Sequence, residues 1–294
     1  MSRRPPGRAE ISALLAEHGI SPSRALGQNF VTDPNLVERV ARLAGVGVGD
    51  RVVEIGAGLG SLTIALAATG AEVLAVEIDR HLEPVLRELV EPLGVTVVRA
   101  DAMSCDWAEL LGAGAGAGAD RRAWVLVANL PYNIATPLVL DVLMGVPSVA
   151  RLLVMVQREV GERLAAQPGS RAYGAVSVRL AYFADARVVA RVPADVFVPR
   201  PNVESVLVEI VRRPAPAVPA DVAGFEEIDV LVRAGFSGRR KMLRRSLAGL
   251  VTAEAFAAAG VAPTSRPEEL GVEAWGKLAQ CKRLTESGQP VPPP

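Results

Sequence analysis

Three apolar runs of this chain end in side chains able to handle an amine. "VANLPY" closes on Asn129, Leu130, Pro131 and Tyr132, "AVEID" carries Glu77 and Asp79, and "VVRAD" runs into Asp101. An amino group conjugated to a purine is a poor nucleophile, because its lone pair is delocalised into the ring. Two acceptors facing its hydrogens, the Asn129 side-chain oxygen and the Leu130 carbonyl, favour a pyramidal amine whose lone pair is aimed outward. Pro131 fixes φ and stiffens the turn, and Tyr132 offers a face for the base to stack on. Attack on a sulfonium methyl needs no metal and no covalent nucleophile. Orientation supplies the acceleration, worth roughly 7–11 kcal/mol when two reactants are held in line. Taken alone, the four residues suit a plain strand-to-helix turn as well, with Asn as cap and Tyr as core. Their company favours the chemistry.

That company begins at "VVEIGAGLGS", where Gly56, Gly58 and Gly60 allow a tight turn and close approach of a ligand to the backbone. A dinucleotide fingerprint asks for its third glycine where Ser61 stands, so the turn favours a nucleoside cofactor without a pyrophosphate over a dehydrogenase. Glu77, at a strand tip, is placed to accept from two ribose hydroxyls, while Asp79 suits a helix cap. Asp101 suits the exocyclic amine of an adenine, or the cap of a short helix. One crevice at the carboxyl edge of a sheet would hold all three stretches, and its chemistry suits S-adenosyl-L-methionine. A base inside a helix must be extruded to reach such a crevice. Tyr132 would cover one face of it. Phe197, in the exposed, proline-stiffened loop "DVFVPRPNVESV", would cover the other, at about 1–3 kcal/mol per stacked base, or would simply plug that loop.

The elements that must position these residues are legible as alternation. "RVVEI" (51–55), "AEVLAVE" (71–77), "VTVVR" (95–99), "WVLVA" (124–128) and "RLLVMVQ" (151–157) read as strands buried on both faces, separated by helical patterns such as "SLTIALAAT". "ARVVARV" and "ESVLVEIVRR" close the set as a strand pair. The pattern predicts an α/β fold: a mostly parallel seven-stranded sheet with helices on both faces, followed by a small all-α domain. Asp33, Pro34 and Gly45 mark the start and stop of a helix before the sheet. The predicted divisions are an N-terminal flexible or helical extension (1–23), a catalytic domain (24–213), a proline-rich linker (214–220), a helical domain (221–286) and a disordered tail (287–294). "LGAGAGAGAD" (111–120) reads as a surface loop.

Lys+Arg and Asp+Glu both number 32, so any nucleic-acid surface must be local rather than a global basic field. The densest basic run is "GRRKMLRR". It is read as a helix with Met242, Leu243 and Leu247 inward and Arg239, Arg240, Lys241, Arg244 and Arg245 available to RNA phosphates. Five such contacts would give a log–log salt slope of about −4.5, at about −0.9 per contact. A solvated charged face is the plainer alternative. Arg3, Arg4 and Arg8 could add a basic arm. Cys105 and Cys281 are far apart and suggest a reduced compartment. His18 and His81 lack neighbours at ligand spacing, so no metal site is expected. Without a secretory signal or an apolar run near ~18 residues, a soluble cytoplasmic protein is expected.

As a set, "LGQNFVTD" (26–33), "EIGAGLGSLT" (54–63), "VEID" (76–79), "NLPYNIATP" (129–137), "QREVGERL" (157–164), "FVPRPNVES" (197–205), "GRRKMLRRSL" (238–247) and "GVAPTSRPEEL" (260–270) resemble the KsgA (RsmA) family of rRNA adenine N6,N6-dimethyltransferases. The resemblance implies a class I, Rossmann-like methyltransferase domain with the donor against Asn29, Val31, Gly56, Glu77, Asp101 and Asn129. It implies dimethylation of two adjacent adenines in the 3′-terminal hairpin of 16S rRNA, on an assembling 30S subunit; separately, a monomer is expected. Ala57, Ala135, Arg245 and the insert at 112–119 depart from the usual family pattern. Three alternatives remain: an Erm-like enzyme for 23S rRNA, a non-catalytic assembly or transcription factor on the same fold, and a small-molecule methyltransferase. The "NLPYNIATP" form and the basic segment disfavour the first. The intact acidic and NLPY residues disfavour the second, and the helical C-terminal region the third.

Overall fold

A computed structural model describes residues 4–113 and 123–287. Among the described residues there are nine strands: β1 (Phe30–Val31), β2 (Arg51–Ile55), β3 (Glu72–Glu77), β4 (Thr96–Arg99), β5 (Trp124–Asn129), β6 (Val149–Gln157), β7 (Ala184–Val192), β8 (Phe197–Val198) and β9 (Ser205–Arg212). Seven of them form one sheet in the order β4-β3-β2-β5-β6-β9-β7, parallel from β4 to β6, with β9 antiparallel to β6. The predicted α/β class is thus the fold observed. Two strands absent from the sequence reading, β1 and β8, pair antiparallel as a separate ribbon, Val31 opposite Phe197.

The chain leaves β2 for β3 and β4 on one side and returns on its other side as β5. The carboxyl ends of β2 and β5 therefore flank a topological switch point, where open α/β sheets bind ligands. Both faces of the sheet are covered. Val52, Val73, Ala75, Val127, Leu153 and Leu207 join one core with the helices Pro34–Ala44, Ser61–Ala67 and Glu83–Val90. Their alternates Leu74, Val76, Leu126, Leu152, Val154 and Val208 are equally buried on the opposite face. β4 departs from the expectation of two buried faces: Thr96 and Arg99 are exposed, because it is the last strand of the sheet.

Local signals formed what they encode. The Asp33 carboxylate accepts from the Asn35 and Leu36 amides at 2.9 and 3.4 Å, Pro34 opens the helix, and Gly45 ends it at φ 56°. The N-terminal region is less loose than a basic arm. Arg8–Glu17 is a helix, its Ile11 and Leu15 lie in the sheet-side core, and the Arg8 guanidinium donates to the Asp195 carbonyl. Of the Gly-Ala stretch, residues 111–113 finish the helix Trp107–Ala113, and 114–120 lie outside the described residues. So do 288–294 of the tail, and Arg3.

The chain divides into two compact units, one comprising the chain to Gly161 and Arg187–Val211, the other Glu162–Ala186 and everything from Arg212. The second unit thus takes the helix Ala175–Phe183 as well as the C-terminal helices, a non-contiguous division invisible to a left-to-right scan. Its core gathers Tyr173, Leu231, Phe256 and Trp275. The proline-rich stretch is no free spacer: Val218 is buried in that core, and a Cβ on Gly276 would lie 2.7 Å from its methyl groups. In the first unit, a Cβ on Gly161 would overlap a Val206 methyl and come within 2.9 Å of Val208. These β-branched neighbours have little freedom to yield. Gly161→Ala is expected to cost about 1–3 kcal/mol by overpacking, read as a lowered midpoint in chemical denaturation.

Candidate active site

The switch point opens into a cavity lined by the glycine turn, Glu77, Asp101, the Asn129–Tyr132 turn, Phe197 and a strap of residues 25–31. Gly56 and Gly58 take φ of 73° and 59° there, backbone that a side chain would strain. Gly60, at φ 78°, also serves packing. A Cβ on it would sit 2.9 Å from Val90, so it admits the helix Glu83–Val90.

Glu77 is 4 % exposed, and both its oxygens are engaged: Oε2 accepts from the Gly58 amide at 2.7 Å and Oε1 from the Asp79 amide at 2.8 Å. Burial pushes its pKa up, while those amides oppose the rise. Each oxygen keeps a lone pair for a ribose hydroxyl. Asp79 caps a turn and not the helix Glu83–Val90, which follows Leu82: its Oδ1 accepts from the His81 amide at 2.9 Å. Its Oδ2 accepts from Gln28 Nε2 at 2.8 Å, tying the strap to the β3 tip. Asp101 caps a turn and not the helix Trp107–Ala113, whose first amides donate to Asp106. One oxygen accepts from the Met103 amide at 2.9 Å, and the side chain lines the cavity.

Asn129 ends β5, and its Nδ2 donates to the Asn29 carbonyl at 2.9 Å. Asn29 itself is held by a bond from its Nδ2 to the Gly27 carbonyl at 3.0 Å. That bond orients the Asn129 amide, with Oδ1 as its acceptor. Leu130 is buried and donates its amide to the Met155 carbonyl. Among the described residues no hydrogen bond ends on its own carbonyl. The Pro131 carbonyl accepts from Ile134 and Ala135, fixing the turn into the helix Ala135–Gly145. Tyr132 is half-buried, and burial raises its pKa.

Two expectations need correction. Phe197 is not on an exposed loop. It is 1 % exposed, in β8 against Val31, and contributes cavity wall from within the core. The short β1–β8 ribbon sequesters it, and two-residue strands leave no periodicity to read. The basic segment is not one helix either. Arg239, Arg240 and Lys241 lie in a turn after the helix Phe225–Ser237, and only Arg244 and Arg245 fall in the single turn Leu243–Ser246. Leu243 and Leu247 are buried, but Met242 is 40 % exposed. All five cations are exposed. Arg239 is partly committed, pairing with Glu268 at 3.8 Å and donating to the Arg171 carbonyl.

Sequence reasoning missed Glu54, the single charged residue inside "VVEIG". It lines the cavity at 2 % exposure, its Oε2 has no hydrogen-bond partner, and burial pushes its pKa up to about 8. A carboxyl inside an otherwise apolar strand end was the available signal. With it, the acidic residues of the cavity wall are Glu54, Glu77 and Asp101, and among the described residues no Arg, Lys or His joins them. Such a wall fits a cationic ligand such as S-adenosyl-L-methionine, which carries a sulfonium and an ammonium, and repels an anionic one.

The family described as ribosomal RNA adenine dimethylase matches residues 21–283. A relative from Kineococcus radiotolerans, ribosomal RNA small subunit methyltransferase A, is 47% identical over 280 residues, covering 92% of this chain and 89% of its own. Two solved structures share the fold. A dimethyladenosine transferase from Plasmodium falciparum has a TM-score of 0.68 at 22% identity, over 88% of this chain and 98% of that one. The 23S rRNA methyltransferase ErmE has a TM-score of 0.67 at 23% identity, over 86% and 99%. The family match runs without a break from the strap through the sheet to the last described helix, and on that extent the chain belongs to the ribosomal RNA adenine dimethylase family.

Proposed function

We propose that this protein transfers methyl groups from S-adenosyl-L-methionine to N6 of two adjacent adenines in the 3′-terminal hairpin of 16S rRNA, acting as a monomer on the assembling small subunit. The observation that carries the reading is the locked amide of Asn129. Its Nδ2 donates to the Asn29 carbonyl and the residue lines the cavity, which leaves Oδ1 as an acceptor for a substrate amine. When bound, the donor supplies an electrophilic methyl on a cationic sulfur. Glu77 accepts from its ribose, Asp101 from its adenine amine, and Asn29, Val31, Gly56 and Gly58 form the surrounding wall. Asn129 and Leu130 accept the two N6 hydrogens of the target adenine, leaving its lone pair toward the donor. Tyr132 and Phe197 form the apolar sides that hold an extruded base. The product proton needs no strong base, because the amine becomes acidic as it gains its methyl. The test is incubation with labelled donor and unmethylated small subunits, followed by mass mapping of nucleosides. N6,N6-dimethyladenosine in the 3′-terminal hairpin supports the reading; modification confined to 23S rRNA overturns it.

Arg240, Lys241, Arg244 and Arg245 supply phosphate contacts in this reading. Among the described residues no ion pair engages any of the four, whereas Arg239 is shared with Glu268. Replacing the four together with alanine is expected to flatten the log–log salt dependence of RNA binding by about 3.6, at about 0.9 per contact. Titrations across a salt series check this. An unchanged slope would return the patch to a solvated surface.

A further inference from the structure

Glu54 has no part in the transfer step just described, yet it is the most deeply buried acid of the cavity wall. It projects from β2, its Oε2 finds no partner, and the Glu77 carboxylate on neighbouring β3 is its like-charged neighbour. Among the described residues of the cavity wall no cation offsets a negative charge there. The helix Ser61–Ala67, β5 and the strap 25–31, the elements around it, contain no titratable side chain, and Thr63 contributes only a hydroxyl. The remaining charged member of the wall is another acid, Asp101. Two carboxyl groups so placed do not both ionise readily in an empty site. The bound proton belongs on Glu54, because Glu77 has two backbone amides stabilising its anion and Glu54 has none.

We propose that Glu54 is a donor-binding residue that stands as a neutral acid in the empty cavity and becomes a carboxylate when the cationic donor enters, releasing its proton to solvent. The inference rests on the methyl-donor reading above. In the free protein the group keeps its proton to about pH 8: burial raises the pKa most, the Thr63 hydroxyl opposes it, and the Glu77 charge adds a lesser rise. A sulfonium and an ammonium in the same wall favour the ionised form and lower that pKa. Binding therefore releases a proton wherever the pH lies between the bound and free values. By linkage the affinity then rises with pH, by up to tenfold per unit. Between pH 6 and 7 the donor's own ammonium, with a pKa of about 7.7–8.0, is still charged and does not confuse the slope.

Calorimetric titration of the wild-type protein with S-adenosyl-L-methionine at pH 6.5, in buffers of differing ionisation enthalpy, counts the protons. The expected result is close to one proton released, with affinity rising severalfold or more from pH 6 to 7. Adenosine, which shares the nucleoside but carries no charge, is expected to bind with none released. In Glu54→Gln the donor is expected to bind with almost no proton release and a flat pH dependence. Donor binding to the wild type without proton release would overturn the role of Glu54 and leave the methyltransferase reading intact. A protein that binds adenosine but not the donor, or neither, would overturn both. The wild-type count decides the matter even if Glu54→Gln fails to fold.

Discussion

Asn129→Ala is expected to lower kcat for adenine methylation by about 10²–10³-fold, the scale seen when one preorganised polar contact to a transition state is removed. The substitution deletes the acceptor that orients N6. It also releases the Asn29 carbonyl, so the strap loses one of its ties to β5. Both kcat and kcat/KM should fall together, because the contact matters most when the amine is pyramidal. Asn129→Asp is not expected to rescue. Its second oxygen would face the Asn29 carbonyl, acceptor against acceptor, where the native nitrogen donates at 2.9 Å. Single-turnover assays with saturating donor and unmethylated small subunits give the number, and wild-type rates in Asn129→Ala would remove the proposed account of the amine.

Glu77→Ala should fail differently. Its carboxylate binds the amides of Gly58 and Asp79, so its loss unties the glycine turn from the β3 tip and leaves two donors without partners in a buried place. Charge-assisted bonds of this kind are worth about 1.5–3 kcal/mol each, and donor affinity is expected to weaken on the order of a hundredfold through loss of the ribose contact alone. Saturating donor should restore much of kcat in this variant, in contrast to Asn129→Ala. Glu77→Gln should recover little: one of its two ends must turn an amide nitrogen toward a backbone N–H. Donor titration calorimetry and a rate measured against donor concentration separate the two variants.

The parts of the site legible in the sequence were those written as strand ends. Gly56, Gly58, Glu77, Asp101 and Asn129 each follow an apolar run, and parallel strands bring their carboxyl ends to one edge whatever the loops between them do. Asn29 and Val31 came only through family resemblance, because the strap is held by single contacts far apart in sequence, Gln28 to Asp79 and Asn29 to Asn129. Phe197 was found as a residue but misplaced as to environment, since its burial depends on a two-residue pairing with β1. The basic segment failed on a different ground. "GRRKMLRR" has helical spacing, but Gly238 and the demand that both Leu243 and Leu247 reach the second core break it into a turn and a single helical turn. Glu54 was passed over because a charge inside a buried strand resembles noise until its unpartnered oxygen is seen in the cavity.

All of these roles depend on one geometric claim, that a purine N6 and a sulfonium methyl are brought into line at the carboxyl ends of β2 and β5. A crystal structure with a non-transferring analogue of the donor and adenosine tests it most directly. The expected complex has the analogue's ribose on Glu77, N6 within hydrogen-bond distance of Asn129 Oδ1 and the Leu130 carbonyl, and a separation of about 3–3.5 Å between N6 and the atom standing for the methyl. A donor analogue seated away from the Asn129–Tyr132 turn, or an adenine whose N6 points away from Asn129, would contradict it.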